Sequence, residues 1–114
     1  GIYHYNVKKR CLERLFTEKE KDQFIESLGY AWIKPAPVII LTTALIDRTT
    51  MKYGDMGYNL VMSESGHIHQ NIQLTSTALS KKSCICFSLN RKKIQNVLDF
   101  KDTELPIAAI GVSG

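Results

Sequence analysis

Lys52 and Tyr53 are neighbouring ionisable side chains just ahead of Gly54-Asp55-Met56-Gly57, a break in the helical run from Asp47 to Lys82. At such a break side chains can project from a helix end into a cleft rather than into the core, where an amine can serve as a base. The amine acts as a base only where burial or a nearby cation lowers its pKa toward neutrality. Otherwise it is a solvated lysine beside a packed tyrosine. Gly66-His67 follows within the same run. Glycine there costs a helix about 1 kcal/mol relative to alanine, so the close approach of another helix or a ligand is expected. His67 and His69 point to different faces, which argues against a two-histidine metal site. His67 is expected to be an interior, hydrogen-bonded histidine.

The elements that must position these residues follow from patterning. GIYHYNVKK alternates aromatic and polar residues and reads as a strand. CLERLF reads as a short helix. Thr17 to Leu28 opens with the capping-box pattern TEKE, spaces Phe24, Ile25 and Leu28 on one face and ends at Gly29. GYAWIKPAP is a loop. The nearly continuous apolar run PVIILTTALI predicts a central strand buried on both faces. Beyond the glycine break, Val61, Ser65, Ile68, Ile72, Thr75 and Leu79 recur at helical spacing, with Leu60, Leu74 and Ala78 widening the stripe. That predicts one long helix from Tyr58 to Ser80, about 35 Å in length, with a broad buried face. SCICFSL reads as a strand, NRKKIQNVLDF as a helix capped by Asn90 with Ile94, Val97 and Leu98 inward, and LPIAAIGVSG as a final buried strand. The expected class is α/β or α+β, with helices on a sheet of about four strands.

Composition narrows the possibilities. The 114 residues, 44% hydrophobic and 23% charged, fit a single domain over 1–114. A chain of this size buries roughly two thirds of its unfolded surface, enough for one core but little more, so a site shared with another chain is in keeping with its length. Cys11, Cys84 and Cys86 lack framework spacing, as in a reduced, intracellular protein without disulfides. In SCICF one cysteine reads as a small core residue, and no metal is expected. The net charge of +4 is carried partly by Lys8-Lys9-Arg10, Lys81-Lys82 and Arg91-Lys92-Lys93. Groups this small are ordinary solvated surface, and no aromatic stacking platform interleaves with the latter two, so nucleic acid is not an expected partner. No apolar run approaches the roughly 18 residues of a membrane span, and no signal peptide opens the chain. A soluble, cytoplasmic protein without a membrane partner is expected.

A resemblance then draws the separate features together. Ala36-Pro37 opening an apolar strand, Lys52-Tyr53-Gly54, Met56-Gly57-Tyr58-Asn59, Gly66-His67 and Gln70-Asn71, with IYHYN and LERL before them and LPIAAIGVSG after, resemble the nitroreductase family. Within it they resemble the SagB-type dehydrogenases, the flavin oxidases of thiazole- and oxazole-modified peptide biosynthesis. Essentially the whole chain is covered, corresponding to roughly the C-terminal half of a full-length enzyme. Met56 and Asn59 stand where the family's Arg-Gly-Tyr-Arg run carries arginines, and the family's arginine-rich phosphate segment falls ahead of the aligned region.

The resemblance implies an α+β nitroreductase-like fold with a long central helix, and an FMN enzyme that oxidises a peptide azoline to an azole. The proton-transfer role falls on Lys52 and Tyr53, and the backbone approaching flavin N5 on Cys86, Phe87 and Ser88. It also implies a homodimer or a complementing chain, a modified peptide as substrate, and weak or absent FMN binding by this chain alone. The alternative is a flavin-free scaffold or partner-binding remnant of the same fold.

Overall fold

The C-terminal run ELPIAAIGVS forms the longest strand of the molecule, and the main sheet is built around it. The computed structural model describes residues 1–114. In chain order the elements are β1 (Ile2–Asn6), β2 (Cys11–Phe16), α1 (Glu18–Glu26), a 3-10 turn (Ala31–Ile33), β3 (Val38–Leu45), α2 (Ile46–Tyr53), α3 (Met56–Ala78), β4 (Lys82–Cys86), α4 (Arg91–Leu98) and β5 (Glu104–Ser113). The architecture is α+β, with five strands in two sheets. In the main sheet β5 pairs antiparallel with β3 on one side and β4 on the other.

Two expectations about strands need correction. CLERLF is the strand β2, which pairs with β1 in an antiparallel hairpin with Tyr5 opposite Leu12 and His4 opposite Glu13. Six residues are too few to offset helix nucleation alone, and the preceding turn favours the hairpin. Asn6 Oδ1 accepts from the Lys9 backbone N–H at 3.0 Å, Arg10 takes a left-handed φ of 51°, and Glu13 accepts from Asn6 and Lys9 at 3.1 and 3.0 Å. The run Val38–Leu45 is an edge strand rather than a central one, because β5 takes the middle place. Its apolar alternation still serves two faces. Ile39 and Leu41 pack on the main core, while Val38 and Ile40 line a groove with α3.

The core forms where α1 and α4 cover one face of the sheet. Phe24 from α1, Leu28 just beyond its cap, Ile94 and Leu98 from α4, Ile33, Cys86 and Ala109 make one buried cluster. The caps that start these helices are as expected: Glu20 accepts from the Thr17 backbone N–H at 3.1 Å, and Asn90 Oδ1 from that of Lys93 at 3.0 Å. Gly29 does not act as a helix cap. The cap is Ser27, and Gly29 lies against Ser88 instead.

On the other face, α3 runs for 23 residues. Only part of its predicted stripe is covered: Val61 is buried, whereas Leu60, Ile68, Leu74 and Leu79 stay exposed. Three strands present a surface about 10 Å wide, room for one helical stripe and no more. Nor is Gly66 a point of close approach within this chain, since a Cβ built there would meet nothing within 4 Å. The close approach is at Gly57, where a Cβ would stand 2.8 Å from both the Cα and the backbone N of Thr50 on α2. His67 is exposed, and the interior histidine is His69. No helix is long and apolar enough to cross a membrane.

Candidate functional site

β3 and β4 both run antiparallel to β5, so their C-terminal ends lie at the same end of the sheet. One leads into α2, the other into the segment Phe87–Leu89. The segments that carry the two groups of residues singled out from the sequence therefore leave the sheet at the same end.

Lys52 and Tyr53 are the last two residues of α2, and both are exposed. The Lys52 ammonium lies 5.0 Å from the centre of the Tyr53 ring, within the range of a cation–π contact. Gly54, with φ 56°, turns the chain out of α2, and its N–H donates to the Thr50 carbonyl at 2.8 Å. Because Gly57 lets α3 touch the backbone of α2, the corner carrying Lys52-Tyr53 is tied to the central helix. Lys52 forms no ion pair within the chain.

The second group closes β4. Cys86 is buried in the core, and its thiol donates to the Ser88 carbonyl at 3.5 Å. The same carbonyl accepts from the Gly29 N–H at 2.8 Å, the Asn90 N–H donates to the Ser27 carbonyl at 2.9 Å, and Leu28 bridges Leu89. Phe87 and Ser88 are thus held from below by the end of α1, yet their own N–H groups find no acceptor in the chain. Phe87 is 60% exposed. The segment offers an aromatic wall and two free backbone donors, features suited to the edge of a planar polar heterocycle. A phosphate clamp is a different requirement, and the first turn of α3 carries Met56 and Asn59 with no cationic side chain.

Behind Phe87 stands His69, its ring 5.9 Å from the Phe87 ring in an edge-to-face arrangement at 69°. His69 Nε2 is 2.8 Å from Thr42 Oγ1, which donates its single proton to the Ala108 carbonyl at 3.2 Å. With that proton on the Ala108 carbonyl, the contact from His69 is an Nε2–H donation, which the Nε2–H tautomer and the imidazolium make alike. Burial pushes the His69 pKa below its ordinary value. Neither His69 nor Thr42 was legible as a pair in the sequence, although a threonine in an apolar strand facing an apolar helix requires a polar partner. Gly29 likewise reads as a helix terminator until the pairing with Ser88 is seen.

The two groups share no hydrogen bond or ring contact. No set of three or more histidine, cysteine, aspartate or glutamate side chains is brought together as for a metal ion. Between β3 and α3 lies an apolar groove of about 480 Å³, lined by Val38, Ile40, Ile68, Ile72 and Leu79 among others.

Residues 2–114 match the family model described as the nitroreductase family. A nitroreductase-type protein of Methanocaldococcus jannaschii is 28% identical over 112 residues, which cover 97% of this chain and 57% of that protein. Among solved structures, a chain of the Escherichia coli microcin synthetase McbBCD complex, with truncated pro-MccB17 bound, superposes with a TM-score of 0.86 at 16% identity. The match covers 98% of this chain and 43% of that one. A nitroreductase-type structure from Anabaena variabilis gives a TM-score of 0.82 at 20% identity, covering 97% of this chain and 23% of that one. The chain spans little more than half the length of the curated relative it matches.

Proposed function

The chain belongs to the nitroreductase family, and from that premise we propose that it works within an FMN-dependent oxidoreductase of the SagB type, oxidising azoline rings of a modified peptide to azoles. The observation that carries this reading is the Phe87-Ser88 segment, with an exposed aromatic ring and two free N–H groups at the sheet end where α2 also begins. The likeness in fold to a chain of a peptide-processing synthetase complex supports the substrate class.

Bound FMN would supply the acceptor for the hydride lost from the ring. Phe87 and Ser88 would present their N–H groups to the flavin edge, while Cys86 would fasten the segment to the core. Lys52, as its neutral amine, would take the ring α-proton and become the ammonium, with Tyr53 placing the side chain. Lys52 is exposed within this chain, so enclosing it beside a substrate requires a covering surface from elsewhere. The apolar residues left open on α3, and the groove beside β3, fit a second copy of the chain or a complementing polypeptide that would supply this cover, and the complementing polypeptide would bring the phosphate-binding arginines. The chain alone would then bind FMN weakly or not at all. A flavin-free scaffold of the same fold is the second reading, favoured by Met56 and Asn59 in place of arginines.

The test is flavin absorbance after desalting, first of the chain alone and then of the chain mixed with the polypeptide that completes the domain. Flavin retained only in the mixture is the expected result. Flavin absent from both favours the scaffold, and flavin retained by the chain alone overturns the need for a complement.

A further inference from the structure

One buried titratable side chain has no part in the proton transfer assigned above, yet it touches the flavin-facing segment. His69 is 3% exposed and reaches across from α3 to Thr42 on β3, which in turn bonds to β5 through the Ala108 carbonyl. The imidazole is thereby fixed in plane by a directional hydrogen bond, anchored on two strands of the sheet. Phe87 rests on this fixed ring and lies outside every helix and strand. A leucine at position 69 would fill similar space. It would not set a plane, whereas an edge-to-face contact passes the orientation of one ring to the other.

The same segment has its second anchor on the opposite side, where the Gly29 N–H holds the Ser88 carbonyl. A main-chain bond from the α1 side therefore fixes where the segment lies, and a ring contact from the α3 side fixes how Phe87 is turned. The free N–H groups of Phe87 and Ser88 lie between these anchors.

We propose that His69 is a positioning residue, which through the Thr42–His69–Phe87 contact orients Phe87 and the adjoining N–H donors toward the cofactor edge. The inference rests on the FMN reading above, and its test separates the two. Within the chain alone, Phe87→Trp places an indole against the imidazole, where a protonated ring quenches its emission. Acidification should lower the emission in Phe87→Trp and leave it level in Phe87→Trp/His69→Leu. The two variants responding alike would overturn the inference, whatever the flavin result.

In the FMN-loaded assembly, given a synthetic peptide thiazoline, His69→Gln keeps a side-chain N–H for Thr42 but loses the ring. Its flavin-reduction rate should fall by about 10- to 100-fold, the scale of a small misplacement, with KM little changed. The same substitution made in a Phe87→Leu background should cost almost nothing further, because the ring contact is already gone. Equal losses in both backgrounds would assign His69 a merely structural role and overturn the inference alone. An assembly that binds no flavin would overturn the FMN reading together with it.

Discussion

The Gly29 N–H donates to the Ser88 carbonyl at 2.8 Å, and a Cβ on Gly29 would lie 2.8 Å from that same oxygen and 2.0 Å from the Ser88 hydroxyl. The hydroxyl can rotate away, but the carbonyl is held by the pairing of residues 27–29 with 88–90. Gly29→Ala should destabilise the chain by about 1–3 kcal/mol, as overpacking does, and loosen amide protection at Asn90. An alanine variant with unchanged denaturation midpoint would show that the two segments are not locked together.

The two glycines of α3 should respond in opposite directions. Gly57→Ala drives a methyl group into the Thr50 backbone and should cost about 1–3 kcal/mol. Gly66→Ala meets open space and should stabilise the isolated chain by up to about 1 kcal/mol through helix propensity. Thermal melts of the two variants side by side decide the matter, and a destabilised Gly66→Ala chain would contradict the exposure of that position.

Ile94 is fully buried between α4 and the sheet. Ile94→Ala should cost about 2–5 kcal/mol through lost burial and a residual cavity, a large share of the stability of a small domain. Urea titration measures this directly. A loss below that range would mean the site collapses around the smaller side chain.

The stability of the chain should fall with acid in a window that belongs to His69. Burial holds its native pKa below the ordinary value, so the unfolded chain binds the proton first as pH drops. Stability is greatest above about pH 6.5, declines from there toward the lower native pKa, and levels off beneath it. Glu18, whose pKa is lowered to about 2 chiefly by a hydrogen bond from Lys21, titrates in a separate, more acidic window. His69→Gln should flatten the His69 window alone, and an unchanged slope in urea midpoints would assign it to another group.

Lys52→Ala, made in the flavin-loaded assembly, should abolish azoline oxidation while FMN stays bound. The lysine ends α2 in an exposed position and contributes no contact to the core, so its removal should leave the melting temperature unchanged. Turnover at the unsubstituted rate would take Lys52 out of the mechanism.

Much of the fold could be read from local pattern because local physics sets it. Asn90 capping α4, the buried run of β5, the break at Gly54 and the length of α3 each depend on a few adjacent residues. The hairpin strand Cys11–Phe16 could not be read this way, since CLERLF has helical and extended solutions of similar local cost, and its pairing with Ile2–Asn6 decides between them. The same holds for β3. An apolar run announces burial on two faces, but strand order is a property of the whole sheet, and β5 arrives from far along the chain to take the middle place.

The candidate site divides along the same line. Local pattern placed Lys52-Tyr53 at a helix break, whereas Cys86-Phe87-Ser88 were singled out only through the family resemblance, SCICFSL reading by itself as one strand where the structure ends β4 at Cys86. Sequence alone also determined the class of fold, the capped helices and the family resemblance, because each is written in spacing and residue type over short range. Only the tertiary structure decided that His69 rather than His67 is interior, that Gly57 and Gly29 are the glycines of close approach, and that much of the α3 stripe stays open. Those outcomes depend on which surfaces the long-range pairing of β3, β4 and β5 brings within contact distance, and no local pattern carries that information.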